Sequence, residues 1–143
     1  MITAMIFCLI LIIMTVVIHY EILGWISSRL LHFRIPSRAR LLFAIFAIFV
    51  AHILEIWLYA LAYFLLTNNF GLGNFGGQMD HAFENYLYFS TESYTSLGLG
   101  DIYPLGPLRL LTGTESLNGL LLIAWSASFA YLAMQKFWRL ESK

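Results

Sequence analysis

The chain has 143 residues, of which 60% are hydrophobic and 11% charged, and its 8 basic residues balance its 8 acidic ones. A composition this apolar exceeds what one soluble core of that size can bury and makes a lipid bilayer the solvent, while zero net charge excludes the broad basic surface of a nucleic-acid binder. The single cysteine, Cys8, has no intrachain partner, which excludes an internal disulfide.

A transmembrane helix needs about 20 apolar residues, and Met1–Leu23 is the first such stretch. It carries neither a basic leader nor a small-residue cleavage pattern, so it is read as an uncleaved anchor rather than a signal peptide. His19 and Glu21, near its inner end, are expected at the interface. From Gly24 to Arg40, Trp25, Ile26, Leu30, Leu31, Phe33 and Ile35 lie among arginines, a mixture suited to the headgroup layer. That linker is read as an orienting loop, with anionic-lipid binding as the second reading, and Pro36 should end any helix there. Residues 1–40 thus form an anchor and linker, and residues 41–143 a second unit.

Leu41–Leu66 is the second span, with His52 and Glu55 one turn apart on it. Gly71-Leu72-Gly73-Asn74-Phe75-Gly76 matches a dinucleotide-binding G-x-G-x-x-G only formally. It follows a membrane span and not a strand, so it is read as a flexible outer turret. Residues 81–95 are too few and too polar to cross, yet their aromatics recur on one helical face. They are read as a half-helix capped by Asp80, with His81 at the outer mouth. The third span starts at Leu105, runs to about Met134 and continues as helix to Trp138. Pro104 and Pro107 lie before its first full turn, where proline costs little.

Arg29, Arg34, Arg38 and Arg40 lie between the first two spans, Lys136, Arg139 and Lys143 follow the third, and Arg109 stands near the opposite end. The positive-inside rule then places the amino terminus outside, the carboxyl terminus in the cytoplasm and residues 67–104 on the outer side. A half-helix entering from that side points the negative end of its dipole at the membrane centre, where it favours a cation. The segment that follows, Ser96-Leu97-Gly98-Leu99-Gly100-Asp101, must line water or be buried in protein. Its alternate glycines permit left-handed angles, so successive carbonyls can face one axis and replace the hydration shell of a cation. One loop cannot encircle an axis, so oligomerisation belongs to the mechanism. A simple glycine turn between two helices would not need the half-helix, the acidic residue or the proline that accompany it here.

The stretch YFSTESYTSLGLGDIYP resembles the filter region of the potassium-channel pore family, and residues from about Leu41 to Trp138 resemble its outer-helix, pore-loop, inner-helix module. The resemblance implies an all-α membrane protein with three transmembrane helices, a re-entrant pore helix and a selectivity-filter loop (residues 96–101) in a homotetrameric pore. Backbone carbonyls of Ser96, Leu97, Gly98 and Leu99 would hold K+ and the Ser96 hydroxyl would close the innermost site, with Gly100 completing the filter. Thr95 and Glu92 would support it and Asp101 would cap it; Glu92 stands where some bacterial relatives share a proton with that aspartate. Ser96, Leu97 and Leu99 depart from the usual threonine, valine or isoleucine, and tyrosine, which removes bracing behind the filter. A weakly selective monovalent cation pathway that also admits Na+ is therefore the alternative to a potassium pore, and a non-conducting auxiliary or scaffold subunit is a further one. No cofactor other than permeant ions is expected, and no catalysis.

By the same alignment Gly119 falls where inner helices of the family bend, with close packing as the competing reason for a glycine there. Ala127, Tyr131 and Gln135 would face the cavity. Glu55 lies roughly 16 Å and Glu115 roughly 14 Å from the outer ends of their spans, at about 1.5 Å per residue. Asn118 is one turn from Glu115, so the two helices carry polar pairs at similar depth. They are read as a polar clamp behind the pore helix, with a proton sensor acting through His52 as the second reading and a metal or enzyme centre as the least supported. No ladder of arginines marks a voltage sensor, and the few residues after Trp138 make no ligand-binding domain. Small size and short loops suggest a bacterial inner membrane.

Overall fold

Residues 2–29 and 36–141 are described by the structure, a computed structural model. Three helices are long and apolar enough to cross a membrane: α1 (Ile2–Arg29), α2 (Ser37–Asn68) and α4 (Leu108–Glu141). Each extends beyond the span expected from its sequence, and α1 takes in Gly24–Arg29 of the expected linker. Residues 30–35 of that linker and the terminal Lys143 lie outside the described residues, and Pro36 immediately precedes α2. Much of the apolar surface points outward, as at Ile13, Phe46, Phe49 and Leu121, which suits lipid as the solvent. The buried side of α1 is one stripe: Ala4, Cys8, Leu11, Thr15, His19, Leu23 and Ile26, spaced by three or four residues. With that face α1 packs against both α2 and α4.

Between α2 and α4 the chain forms a short strand, a short helix and a second strand. The helix α3 (Phe83–Tyr94) has 12 residues, about 18 Å at the usual rise and far less than a bilayer. It packs against both α2 and α4, and a ring-edge cluster fastens it to α2 and to Phe75: Phe89 meets Tyr63 at 5.2 Å and Phe75 at 4.8 Å, and Tyr86 meets Phe64 and Phe75 at 5.6 Å. The helix starts two residues later than expected. Asp80 does not cap it; the N-cap is Ala82, in extended conformation. His81 takes a φ of +62°, and the turn it makes lets Asp80 Oδ1 accept from the Ala82 N–H at 3.1 Å and from the Asn85 side-chain amide. Asp80 therefore braces the approach to α3.

The strands β1 (Asn74–Gly77) and β2 (Ile102–Leu105) pair antiparallel, with Asn74 opposite Leu105 and Gly77 opposite Ile102. This corrects two expectations. The fold is mostly helical, not wholly so, and the glycine-rich segment that reads as a flexible turret is half of a ladder. Its glycines serve close approach: a Cβ on Gly77, whose φ is +90°, would stand 1.9 Å from the Asp101 carbonyl oxygen, and one on Gly76 would stand 2.5 Å from the Tyr103 ring. Pro104 lies in β2, where a two-stranded ladder tolerates a residue without an N–H. The chain then turns at Gly106, φ +63°, so α4 begins at Leu108 and not Leu105, and Pro107 alone abuts its start.

Candidate functional site

The loop from Thr95 to Asp101 leaves the carboxyl end of α3 and feeds β2. Positive φ occurs at Ser96 (+58°), Gly98 (+58°) and Gly100 (+82°), whereas Leu97 and Leu99 between them keep negative values. Alternating hands turn successive carbonyls toward the same side. Composition anticipates this for the two glycines but not for Ser96, where a left-handed serine costs on the order of 1–3 kcal/mol that surrounding contacts must offset.

Those contacts all come from the donors. The Ser96 N–H donates to Ser93 O (3.0 Å), the Leu97 and Gly98 N–H groups to Glu92 O (2.8 and 3.4 Å), and the Leu99 N–H to the Glu92 carboxylate (2.9 Å). Four consecutive amide hydrogens are thus turned back onto the end of α3. Among the described residues, no carbonyl oxygen from Ser96 to Gly100 accepts a hydrogen bond. The Leu97 and Leu99 side chains are 64% and 62% exposed. A row of unpaired acceptors beside bare leucines can coordinate a cation and pack against another chain.

Glu92 is nearly fully buried. Burial pushes its carboxyl up, the Leu99 N–H opposes that, and the Asp101 charge adds to the rise. Glu92 and Asp101 are not hydrogen-bonded to each other. Asp101 Oδ2 instead accepts from the Tyr88 hydroxyl at 3.1 Å, a partner not expected from the sequence, and Asp101 O accepts from the Gln78 N–H at 3.0 Å. Thr95 folds its hydroxyl back onto Thr91 O at 2.8 Å.

Behind the loop, the expected clamp resolves into separate polar contacts, each reaching more elements than foreseen. Glu115 accepts from Ser90 on α3 and Tyr63 on α2, both at 2.6 Å. Asn118 donates to Thr15 on α1 at 2.7 Å and to Tyr59 on α2 at 3.2 Å. Glu55 accepts from His19 at 2.8 Å, from His52 at 3.2 Å and from the Tyr94 hydroxyl. Burial and the Glu55 charge push the Tyr94 phenol well above its ordinary range. His19 is fully buried, not interfacial. Because α1 runs on to Arg29, His19 lies well inside the helix, and its three-to-four spacing from Leu11 and Thr15 is the signal that places it on the packed face. Glu21 does stay exposed, and the His81 ring meets the Tyr86 hydroxyl at 3.0 Å.

Gly119 answers to packing. A Cβ there would lie 2.2 Å from Tyr94 O, and Ser116 donates to the adjacent Ser93 O at 2.8 Å, while α4 passes Gly119 without interruption. Ala127 and Tyr131 are exposed on α4, and Gln135 donates to the Tyr131 hydroxyl at 2.7 Å.

Comparison with curated proteins and with solved structures returns no match. A family model described as Ion channel matches residues 41–136, which takes in α2, both strands, α3, the glycine loop and most of α4, and leaves α1 outside. The match covers more than half of the chain, including two helices long and apolar enough to span a membrane, and the chain belongs to this family of two-transmembrane, pore-loop ion channels.

Proposed function

We propose that four copies of the chain surround one pathway, that α3 is a re-entrant pore helix, and that the pathway passively conducts monovalent cations with preference for K+. The observation that carries this reading is the division of polar groups in the loop: amide hydrogens of residues 96–99 bond back to α3, and carbonyls of residues 96–100 have no hydrogen-bond partner among the described residues. These carbonyls are exposed in the single chain; once neighbouring chains face them across a shared axis, a cation stripped of water supplies the partner that their geometry leaves open. Ser96, Leu97, Gly98 and Leu99 hold the ions. Glu92 fastens the Leu99 amide, Thr95 ends the pore helix, and Asp101 caps the outer mouth against Tyr88 and β1. No bond is made or broken.

The exposed leucines support assembly, since neighbouring chains would cover them. Lipids cover the outward faces of α1 and α2. The basic residues favour an amino terminus outside and a carboxyl terminus in the cytoplasm, and the plain architecture favours a bacterial inner membrane. Flux from liposomes that contain only the purified chain tests the proposal. K+ efflux well above Na+ efflux is expected; equal fluxes reduce the proposal to a weakly selective pore, and well-formed oligomers that pass neither ion overturn it in favour of an auxiliary subunit.

A further inference from the structure

The cluster around Glu55 takes no part in the proposed filter, and it joins the helix outside the family module to the module itself. His19 of α1 and His52 and Glu55 of α2 bring one ligating atom each within 4.8 Å of one another. Both imidazoles present Nδ1 to the carboxylate, at 2.8 and 3.2 Å, and the Tyr94 hydroxyl of α3 stands 2.9 Å from His52 Nδ1. On the far side, both Nε2 atoms meet a single atom, Ser126 Oγ of α4, at 3.1 Å each. His19, Glu55 and Ser126 are buried.

Proton accounting makes this arrangement informative. If Glu55 is ionised and accepts from two neutral histidines through Nδ1–H, both Nε2 atoms are lone pairs aimed at one hydroxyl, which has a single hydrogen to give. One of the two 3.1 Å contacts then has no hydrogen in it. A cation bound at the Nδ1 atoms reverses the tautomers. Each Nε2 then carries the hydrogen, and the two lone pairs of Ser126 accept both. That is the usual outer support of a metal-bound histidine.

We infer that His19, His52 and Glu55 form a binding site for a divalent transition metal of the Zn2+ class, with Tyr94 beside it as a further oxygen donor and Ser126 orienting both imidazoles. Two imidazoles select against Mg2+ and Ca2+, which take oxygen ligands. A cavity of roughly 390 Å³ reaches His52, Tyr94 and Ser126, with apolar walls that include Ile48, Ile53 and Ile123. The metal ties α1 to α2 directly and, through Tyr94 and Ser126, to the end of α3 and to α4, so the added helix is pinned behind the glycine loop.

The full-length protein, purified without a metal-binding tag and stripped with chelator, is titrated with Zn2+ and with Co2+, and bound metal is counted by mass spectrometry. One ion per chain is expected, with the ligand-field absorption of four-coordinate Co2+. His19→Ala should weaken binding about 100-fold or more, and Ser126→Ala about 10–100-fold, the range for an outer-support residue. Absence of stoichiometric metal on the wild-type chain overturns the inference, because the ring is then closed by a proton alone. Binding that survives both substitutions overturns it equally. The count requires no ion flux, so its failure leaves the conduction proposal standing, and failure of conduction leaves the count valid.

Discussion

Substitution of Gly119 by alanine, set against the same change at Gly113, separates a bending glycine from a packing one. In an exposed helix interior Gly→Ala stabilises by about 0.8–1.0 kcal/mol, because alanine loses less backbone freedom on folding. Gly113 has nothing within 4 Å of a built Cβ, so Gly113→Ala should gain about that amount. At Gly119 the new methyl would stand 2.2 Å from Tyr94 O and 3.0 Å from both Tyr94 C and Cγ. An ordinary contact would require α4 and α3 to separate by about 1 Å, an overpacking cost of about 1–3 kcal/mol. The carbonyl cannot move alone, because it belongs to the last residue of α3. The net effect should be a loss of up to about 2 kcal/mol after the helix-propensity gain is subtracted. Thermal unfolding of the detergent-solubilised protein reads this as shifts of opposite sign, about 2–4 °C per kcal/mol for a chain of this size. Equal upward shifts would refute the close approach and return Gly119 to a role in bending.

Three further outcomes follow from the same geometry. Gly77→Ala meets both a left-handed φ of +90° and the Asp101 carbonyl at 1.9 Å, so it should open the β1–β2 ladder; hydrogen exchange of the Gln78 amide checks this, and unchanged protection would contradict it. Glu115→Leu removes the bonds from Tyr63 and Ser90 but leaves the first hydroxyl Thr112 Oγ1 at 3.2 Å and the second Ile56 O at 2.9 Å, so it should cost about 1–3 kcal/mol at roughly 0.5–1.5 per lost bond, read as lowered unfolding temperature, whereas Glu115→Gln should cost less because its oxygen still accepts. Glu92 has a raised carboxyl, so its contribution to stability is full below the ordinary value of 4.5 and is lost as pH rises through the higher folded-state value. Stability should therefore fall with rising pH across that window in the wild type and lose that slope in Glu92→Gln; an identical slope would exclude Glu92 as its source.

Much of the architecture is legible in residue order because it rests on local rules. Apolar runs of sufficient length become crossing helices wherever lipid is the solvent, and a short aromatic-faced segment before alternate glycines becomes α3 and its loop. Less legible is whatever depends on which surface meets which. Glycines at 71–77 carry no sign that they oppose residues 101–105, since the reason is the approach of Asp101 and Tyr103 from beyond α3. Asp80 looks like a cap until His81 adopts its left-handed turn. Tyr88 cannot be linked to Asp101, 13 residues away, without knowing how the loop returns.

Composition and periodicity by themselves determined that the chain belongs in a membrane, that three of its stretches are long and apolar enough to cross one, and that one glycine-spaced stretch of backbone can turn its carbonyls to one side, because each depends on neighbours within a turn or two. Tertiary structure alone decided how the buried polar residues are shared out. His19 finds Glu55 across 36 positions and Asn118 finds Thr15 across 103. In a solvent that offers no hydrogen bonds, a buried donor must take whatever acceptor the neighbouring helix presents, and that choice exists only once the helices have met.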